Sequence, residues 1–466
     1  MKNITRVIGV SLAAASLLLG AASCSNGGGG GSSASAGATG SSSAGTSAGG
    51  SVYFLNFKPE SADKYDAIIA EYKKETGVDV KVATAASGTY EQTLTSEMAK
   101  SSPPTIFQIN GPVGWANWKD YTADLTNSDI YKHLNDQSLA VKTADGVWGV
   151  PYVVEGYGII YNDAIMKKYF ALADKKVSIS SAQDIKSWDL LQQVVEDMTA
   201  HAADLGIKGV FSSTSLKPGE DWRWQTHLAD VPLFYEFSGD KVDLTKGTPA
   251  TIKFTYSDNM KNLFDLYLNN STVKPTELGS KTVDDSMAEF ALGQSAMVQN
   301  GNWGWSQVAG VQGNTVQAAD VHMLPLYMGI SGEEKYGIPI GTENYFSINA
   351  KADAASQKAS LDFLTWLFSS DYGKKAVSND LGFIAPFDWF KAGEGPNDPL
   401  ATEVTKWMTT SGITSVPWSA FQVMPSQDWK NNFGAGLLTY AQGKADWSKV
   451  SSDMVADWAK QAAAAG

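Results

Sequence analysis

The sequence predicts an α/β protein with room for two domains. Three observations carry that expectation. Short β-rich runs alternate with amphipathic helices over residues 52–109. A second α/β region follows over about 161–338. The 466-residue chain holds a single cysteine, so no internal disulfide can staple it and the fold must rest on buried apolar area.

The elements follow in order. Val52-Tyr53-Phe54-Leu55-Asn56-Phe57 opens the body as a strand and is ended by Lys58-Pro59-Glu60. Tyr65, Ile68, Ile69 and Tyr72 then fall at i, i+3, i+4 and i+7, which predicts a helix closed by Gly77. Residues 78–82 read as the next strand and 90–100 as the next helix. Pro103-Pro104 breaks the chain, and Thr105-Ile106-Phe107-Gln108-Ile109 is a buried strand leading to Asn110-Gly111. Strand, helix, strand, helix, strand predicts a parallel sheet. Ligands of such sheets meet the loops at the carboxyl ends of the strands, here 58–60 and 110–111. Further helices are expected over 188–201 and 281–292. One over 354–368 carries Leu361, Leu364, Leu367 and Phe368 on one side. No internal repeat is evident.

The amino terminus reads as an export leader. A cationic start with Lys2 and Arg6 precedes an apolar run over residues 7–22, short of the ~20 residues of a bilayer-spanning helix. Ala21-Ala22-Ser23-Cys24 resembles the bacterial lipobox, although Ala21 stands where Leu is usual. Residues 1–23 are therefore expected to be removed and Cys24 to carry lipid. Residues 24–50 form a Gly/Ser-rich tether without charge, reaching on the order of 25–30 Å. A lipid-anchored protein on a Gram-positive surface, rather than a periplasmic one, is the expected location.

Composition excludes several functions. A formal charge of −13 argues against nucleic acid and against broad adhesion to anionic lipid. His133, His201, His227 and His322 show no HExxH spacing, one cysteine cannot build a Cys/His metal site, Gly45-Thr46-Ser47-Ala48-Gly49 fits G-x-S-x-G only inside the Gly/Ser tether and so makes no strand-to-helix elbow, and no P-loop is present. No cofactor is implied. A carboxylate pair for glycoside hydrolysis stays open among 49 acidic residues. Fifteen Trp and 18 Tyr are a first hint of a stacking ligand.

Several segments then fall in a familiar order. Asp145-Gly146-Val147-Trp148-Gly149-Val150-Pro151 is followed by Glu155-Gly156-Tyr157-Gly158-Ile159-Ile160-Tyr161-Asn162. Ser187-Trp188-Asp189-Leu190-Leu191, Phe290-Ala291-Leu292-Gly293-Gln294-Ser295-Ala296-Met297 and Asn300-Gly301-Asn302-Trp303 come next. Leu324-Pro325-Leu326, residues 341–350 and Gly443-Lys444-Ala445-Asp446 complete the set. Over residues 51–460 this order resembles family 1 extracellular solute-binding proteins, the sugar-binding group that includes maltose-binding and multiple-sugar-binding proteins. The resemblance implies a two-lobe periplasmic-binding-protein-like fold with interleaved lobes, hinge strands and a ligand cleft. One lobe would take 51–157 and 340–387, the other 158–339 and 388–466. It also implies a carbohydrate guest, ABC permease subunits as partners, and a monomer without enzymatic activity. A peptide, polyamine or metal-chelate binder, or a secreted glycoside hydrolase, is the alternative.

Sugars offer hydroxyls in fixed directions and flat C–H patches, so a site needs planar polar groups and aromatic faces. The resemblance makes Trp303 the stacking ring, Glu155 a sugar-binding carboxylate, and Lys58 and Glu60 contacts at the end of the first strand. Asn300 and Asn302 flank Trp303 as hydroxyl partners, and Asn110 ends the third strand. Tyr157, beside Glu155, is a further ligand-binding candidate, read as alternating to the other face so that one of the pair meets the guest. Trp222-Arg223-Trp224, if extended, would put both indoles on one side with Arg223 between them; the equal alternative is a helix start with a buried Trp. Glu343 and Asn344 lie at the return crossing. Trp418, Trp429 and Phe387 are assigned to the core.

Overall fold

The structure, a computed structural model, describes residues 50–86 and 88–465. The leader, Cys24 and most of the Gly/Ser tether lie outside the described residues. Within them the first strands are β1 (Val52–Asn56), β2 (Val80–Thr84), β3 (Ile106–Ile109), β4 (Val141–Thr143), β5 (Gly146–Pro151) and β6 (Glu155–Asn162). After these come β7 (Gly209–Phe211), β8 (Ser295–Gly301), β9 (Val321–Leu324), β10 (Tyr336–Gly341), β11 (Tyr345–Ile348) and β12 (Thr414–Pro417).

They form two sheets. The first has the order β2-β1-β3-β11-β5-β4. Its β1, β2 and β3 are parallel, as the alternation of strands and helices predicts. The sheet as a whole is mixed: β11 runs antiparallel to β3 and β5, and β4 antiparallel to β5. The reason is connectivity. β11 re-enters from the other sheet and needs no crossover helix, and β4–β5 is a hairpin, so neither is bound to the parallel direction. The second sheet runs β12-β10-β6-β8-β7, with β9 also on β6. Its β6 is buried along its whole length. A Cβ at Gly158 would lie 2.4 Å from the Leu324 carbonyl oxygen, so glycine is what lets β9 close on β6.

The helices lie close to their predicted spans. Tyr65–Thr76 ends at Gly77, which takes the left-handed conformation (φ 75°). Trp188–Ala200 begins where the Ser187 side chain accepts from the Leu190 amide, and Val283–Ala291 begins with a Thr282/Asp285 capping box. In Ala354–Ser369 the inward residues are Phe363, Leu364, Leu367 and Phe368, while Leu361 sits half-buried at the edge. Among the described residues no helix is long and apolar enough to cross a membrane.

Apolar packing collects on each sheet. Phe54, Ile68, Phe346, Phe363 and Phe387 belong to the core of the first. Tyr157, Trp224, Trp418, Trp429 and Trp458 belong to that of the second. Much of the indole excess is thus spent on packing, which large rings serve by their area. The chain passes from the first sheet to the second at residues 152–154, between β5 and β6, and back at 342–344, between β10 and β11. The two passages are neighbours, since Gly341 pairs with Glu155 and Ile340 with Gly156.

Candidate ligand-binding site

A cavity of about 480 Å³ lies where the two sheets face each other. The first sheet contributes residues 57–60 after β1, Tyr90 and Glu91 on the helix that follows β2, and Asn110 after β3. The second contributes Trp222, Arg223, Trp303, Phe421 and Lys430, and the passage between the sheets contributes Glu343 and Asn344. Both loops expected at strand carboxyl ends therefore reach the cavity. A second cavity of about 300 Å³ adjoins it. Glu60 and Trp303 line both; Glu155, Asn302 and Asp398 line the second.

Trp303 sits in a short 3-10 turn, Asn302–Gly304, directly after β8. A Cβ on Gly301 would fall 2.2 Å from the indole, so the ring occupies the space that any side chain at 301 would take. Its Nε1 is buried without a hydrogen-bond partner among the described residues, as are Asn110 Oδ1, Asn344 Nδ2 and Gln225 Oε1. Four unpaired polar atoms around one cavity are costly to a folded chain, and they are the groups a polar guest would satisfy.

Lys58 and Glu155 tie the first sheet to the second. Their Nζ–Oε1 distance is 2.7 Å, and their side chains are 5% and 2% exposed. Burial works to lower the Lys58 pKa, but Glu155 and Glu60 outweigh it and hold the ammonium well above its usual value. Burial pushes the Glu155 carboxyl up while Lys58 pulls it back down. The short contact joins Lys58 to one carboxylate oxygen of Glu155, and its Oε2 stays buried without a partner among the described residues.

Below the cavity lies an aromatic floor centred on His227, which stacks on Tyr157 (4.3 Å, 12°) and touches the rings of Trp222, Trp303, Trp418 and Phe421. Burial first, then Arg223, Lys430 and Lys58, keeps the imidazole well below its usual pKa, hence neutral. Beside it Asp230 is fully buried and accepts from the Phe421 amide (2.7 Å) and the Tyr157 hydroxyl (3.1 Å). Burial raises its pKa from 3.8 to about 7. A folded pKa above the unfolded one favours folding most below about pH 4, and that contribution is lost as pH rises through about 7. Asp230→Asn, which stays uncharged, is expected to flatten this fall of stability over pH 4–8. The change is on the order of a few kcal/mol; melting temperatures across that range check it.

The sequence-predicted residues divide. Lys58, Glu60, Asn110, Trp222, Arg223, Trp303, Glu343 and Asn344 converge on the main cavity, and Glu155 and Asn302 on its neighbour. Three others lie away from it. Trp224 is fully buried, donates to the Thr214 and Ser215 carbonyls, and packs on Phe264 and Tyr267. The segment is not extended: Arg223–Leu228 is a π-helical turn, and helical spacing sends residues two apart in diverging directions. Tyr157 lies in the floor, its hydroxyl donating to the His227 carbonyl and to Asp230. It does not face opposite to Glu155. Two residues apart on β6, they share a side, and what separates them is depth. Asn300 is buried and orients Arg223, whose Nε donates to its Oδ1 at 3.0 Å. Asn302 accepts from the Gly156 amide. Trp418, Trp429 and Phe387 are core residues.

Lys430, Phe421, Glu91 and His227 were not picked out from the sequence. Lys430 follows the buried Trp429 in the helix Gln427–Ala441 and is itself buried. A lysine in an amphipathic helix reads as solvated, and its inward turn becomes visible only once the cavity is built. Among the described residues no three His, Cys, Asp or Glu side chains are grouped as a metal ion would need.

Two mixed sheets joined by adjacent passages, with a polar and aromatic cavity between them, define a two-sheet α/β binding fold. The chain belongs to the bacterial extracellular solute-binding protein family, whose profile matches residues 67–403. No curated protein is a significant match to the sequence. Solved structures share the fold. A chitin oligosaccharide binding protein aligns with TM-score 0.68 at 18% identity, covering 89% of this chain and 99% of that one. RafE in complex with raffinose aligns with TM-score 0.67 at 20% identity, over 88% and 99%. Maltose-bound MalE3 from T. maritima aligns with TM-score 0.65 at 14% identity, over 88% and 98%.

Proposed function

We propose that this chain captures a carbohydrate, an oligosaccharide by the size of its cavity, outside the cytoplasm and delivers it to an ABC transporter permease. The observation that carries this reading is the cavity itself: indole faces on one wall, unpaired amides and charges on the others, enclosed between two sheets. Sugar binders share the fold, and their guests suggest the class of ligand here. Anchorage by lipid on Cys24, with the signal at residues 1–23 removed and 24–50 as tether, would hold the body at the outer face of the cell membrane. The lobes expected above, 51–157 with 340–387 and 158–339 with 388–466, would close by a hinge at the two passages, 152–154 and 342–344, with their boundaries moved there so that β6 and β10 stay whole in the second lobe. The protein would act as a monomer, binding without turnover.

Gly88 and Gly219 meet at the rim of the cavity. A Cβ on Gly88 would stand 2.6 Å from the Gly219 carbonyl oxygen, and both glycines have positive φ (70° and 85°). Gly88→Ala is expected to prop the halves apart and weaken ligand binding by about tenfold or more, and its positive φ lowers the melting temperature as well, by a strain of ~1–3 kcal/mol. Calorimetry and thermal melting of the variant measure both.

The test of the function is a tryptophan-fluorescence and calorimetric screen of the purified protein against mono- and oligosaccharides. Stoichiometric saturation with unchanged sugar supports the reading. Release of shorter sugars would reassign the protein to the glycoside hydrolases. Silence towards every carbohydrate would end the proposal.

A further inference from the structure

Resting on the carbohydrate reading, we infer that the guest is an amino sugar and that the second cavity seats its ammonium group against Glu155. That cavity, about 300 Å³ beside Trp303, is acidic. Glu60, Glu155, Asp380 and Asp398 line it against a single ammonium, Lys64. The main cavity has the same sign, with five carboxylates against three cations, so the balance does not reverse across Trp303.

The cations nearby are already committed. Lys58 answers two of these carboxylates at once, Glu155 at 2.7 Å and Glu60 at 3.5 Å. Lys64 Nζ lies 2.7 Å from Asp63, a further carboxylate. Asp380 and Asp398 have no cation within ion-pair distance among the described residues. Asp398 accepts from the Ala401 amide (2.8 Å) at the start of the helix Pro399–Thr409, and a neutral donor leaves its charge in place.

One buried atom points the same way. Glu155 is 2% exposed, and its Oε2 has no hydrogen-bond partner among the described residues. The backbone on either side fixes the residue in this wall. The Val154 amide donates to the Ile384 carbonyl (2.8 Å), and the Gly156 amide to the Asn302 side chain (2.9 Å). Asn302 and residues 378–383 are themselves lining residues.

A carboxylate oxygen accepts, so the donor must come from the guest. A hydroxyl would fill the hydrogen bond and leave the excess of negative charge. An ammonium supplies donor and charge together, and a cleft lined by one sign concentrates the opposite one. Trp303, Trp305 and Phe383 stand in the same walls and offer faces to the C–H bonds of a ring and to a cation. Acids beside apolar faces suit an ammonium carried on a sugar.

Calorimetry of the purified full chain at pH 6 compares the glucosamine trimer with cellotriose, maltotriose and spermidine. Cellotriose has the same backbone as the glucosamine trimer, with a hydroxyl in place of each ammonium. The expected result is about tenfold or more tighter binding of the amino trimer, a preference that shrinks with salt and is lost at pH 9, where the amines are neutral. Glu155→Gln keeps the size of the side chain and is expected to lose most of the preference, with cellotriose affinity within about twofold of the parent. Asp398→Asn is expected to lose part of it at an unchanged melting temperature, because asparagine caps a helix as well as aspartate does. It keeps the test open if Glu155→Gln, which takes a partner from Lys58, folds poorly. Cellotriose that binds as tightly as the amino trimer, or a preference that survives both variants, would overturn the inference and leave carbohydrate capture standing. Spermidine that binds as tightly as the amino trimer, or silence towards all four probes, would overturn both.

Discussion

Trp303→Ala is expected to weaken sugar binding by one to two orders of magnitude and to leave the fold in place. The indole is the wall common to both cavities, so a guest in either meets it. Stacking on an aromatic face is worth ~1–3 kcal/mol for nucleic-acid bases, and each ~1.4 kcal/mol is a factor of ten in affinity. The ring is only partly buried, so its removal should cost less than the ~3–5 kcal/mol of a fully buried indole. Calorimetric titration beside thermal melting separates the two effects. Trp303→Phe, which keeps a face, should recover part of the affinity. A variant that melts far below the parent and still binds normally would assign the ring to packing alone.

The second large effect belongs to the ion pair that joins the sheets. Lys58→Met leaves the Glu155 carboxylate 2% exposed with no cation in contact, a loss of ~3–5 kcal/mol for a buried pair broken on one side. The loss depends on pH in a definite direction. Burial already pushes Glu155 up, and without Lys58 its folded pKa rises further above the unfolded value. Stability is then best at low pH, where the carboxyl is protonated, and falls as pH rises through the raised pKa. The double variant Lys58→Met/Glu155→Leu, with neither charge, should regain most of the melting temperature. A Lys58→Met protein that melts like its parent at pH 8 would show that water, rather than Lys58, stabilises Glu155.

Legibility differed between elements for physical reasons. The helix Tyr65–Thr76 was visible because four apolar residues fall at helical spacing and Gly77 supplies the left-handed stop. The three parallel strands followed from chain order alone. The antiparallel entry of β11 did not, because nothing local to Tyr345–Ile348 says which way a strand returning from another sheet will run. At Trp222-Arg223-Trp224 the spacing suited a strand and a helix start equally, and tertiary packing on Phe264 and Tyr267 decided for a helical turn and drew Trp224 inward.

By itself the sequence determined the α/β class, the approximate spans of the helices and several of the residues that meet in the cavity. These depend on local spacing, capping and composition, which neighbouring residues carry with them. Only the tertiary structure decided that Lys430 and Phe421 line the same space as Lys58 and Trp303, that Tyr157 and Asn300 support the site from beneath, and which carboxylates lack a cation. Those facts depend on distances between residues hundreds of positions apart, and they exist only once two sheets face each other and exclude water from the space between.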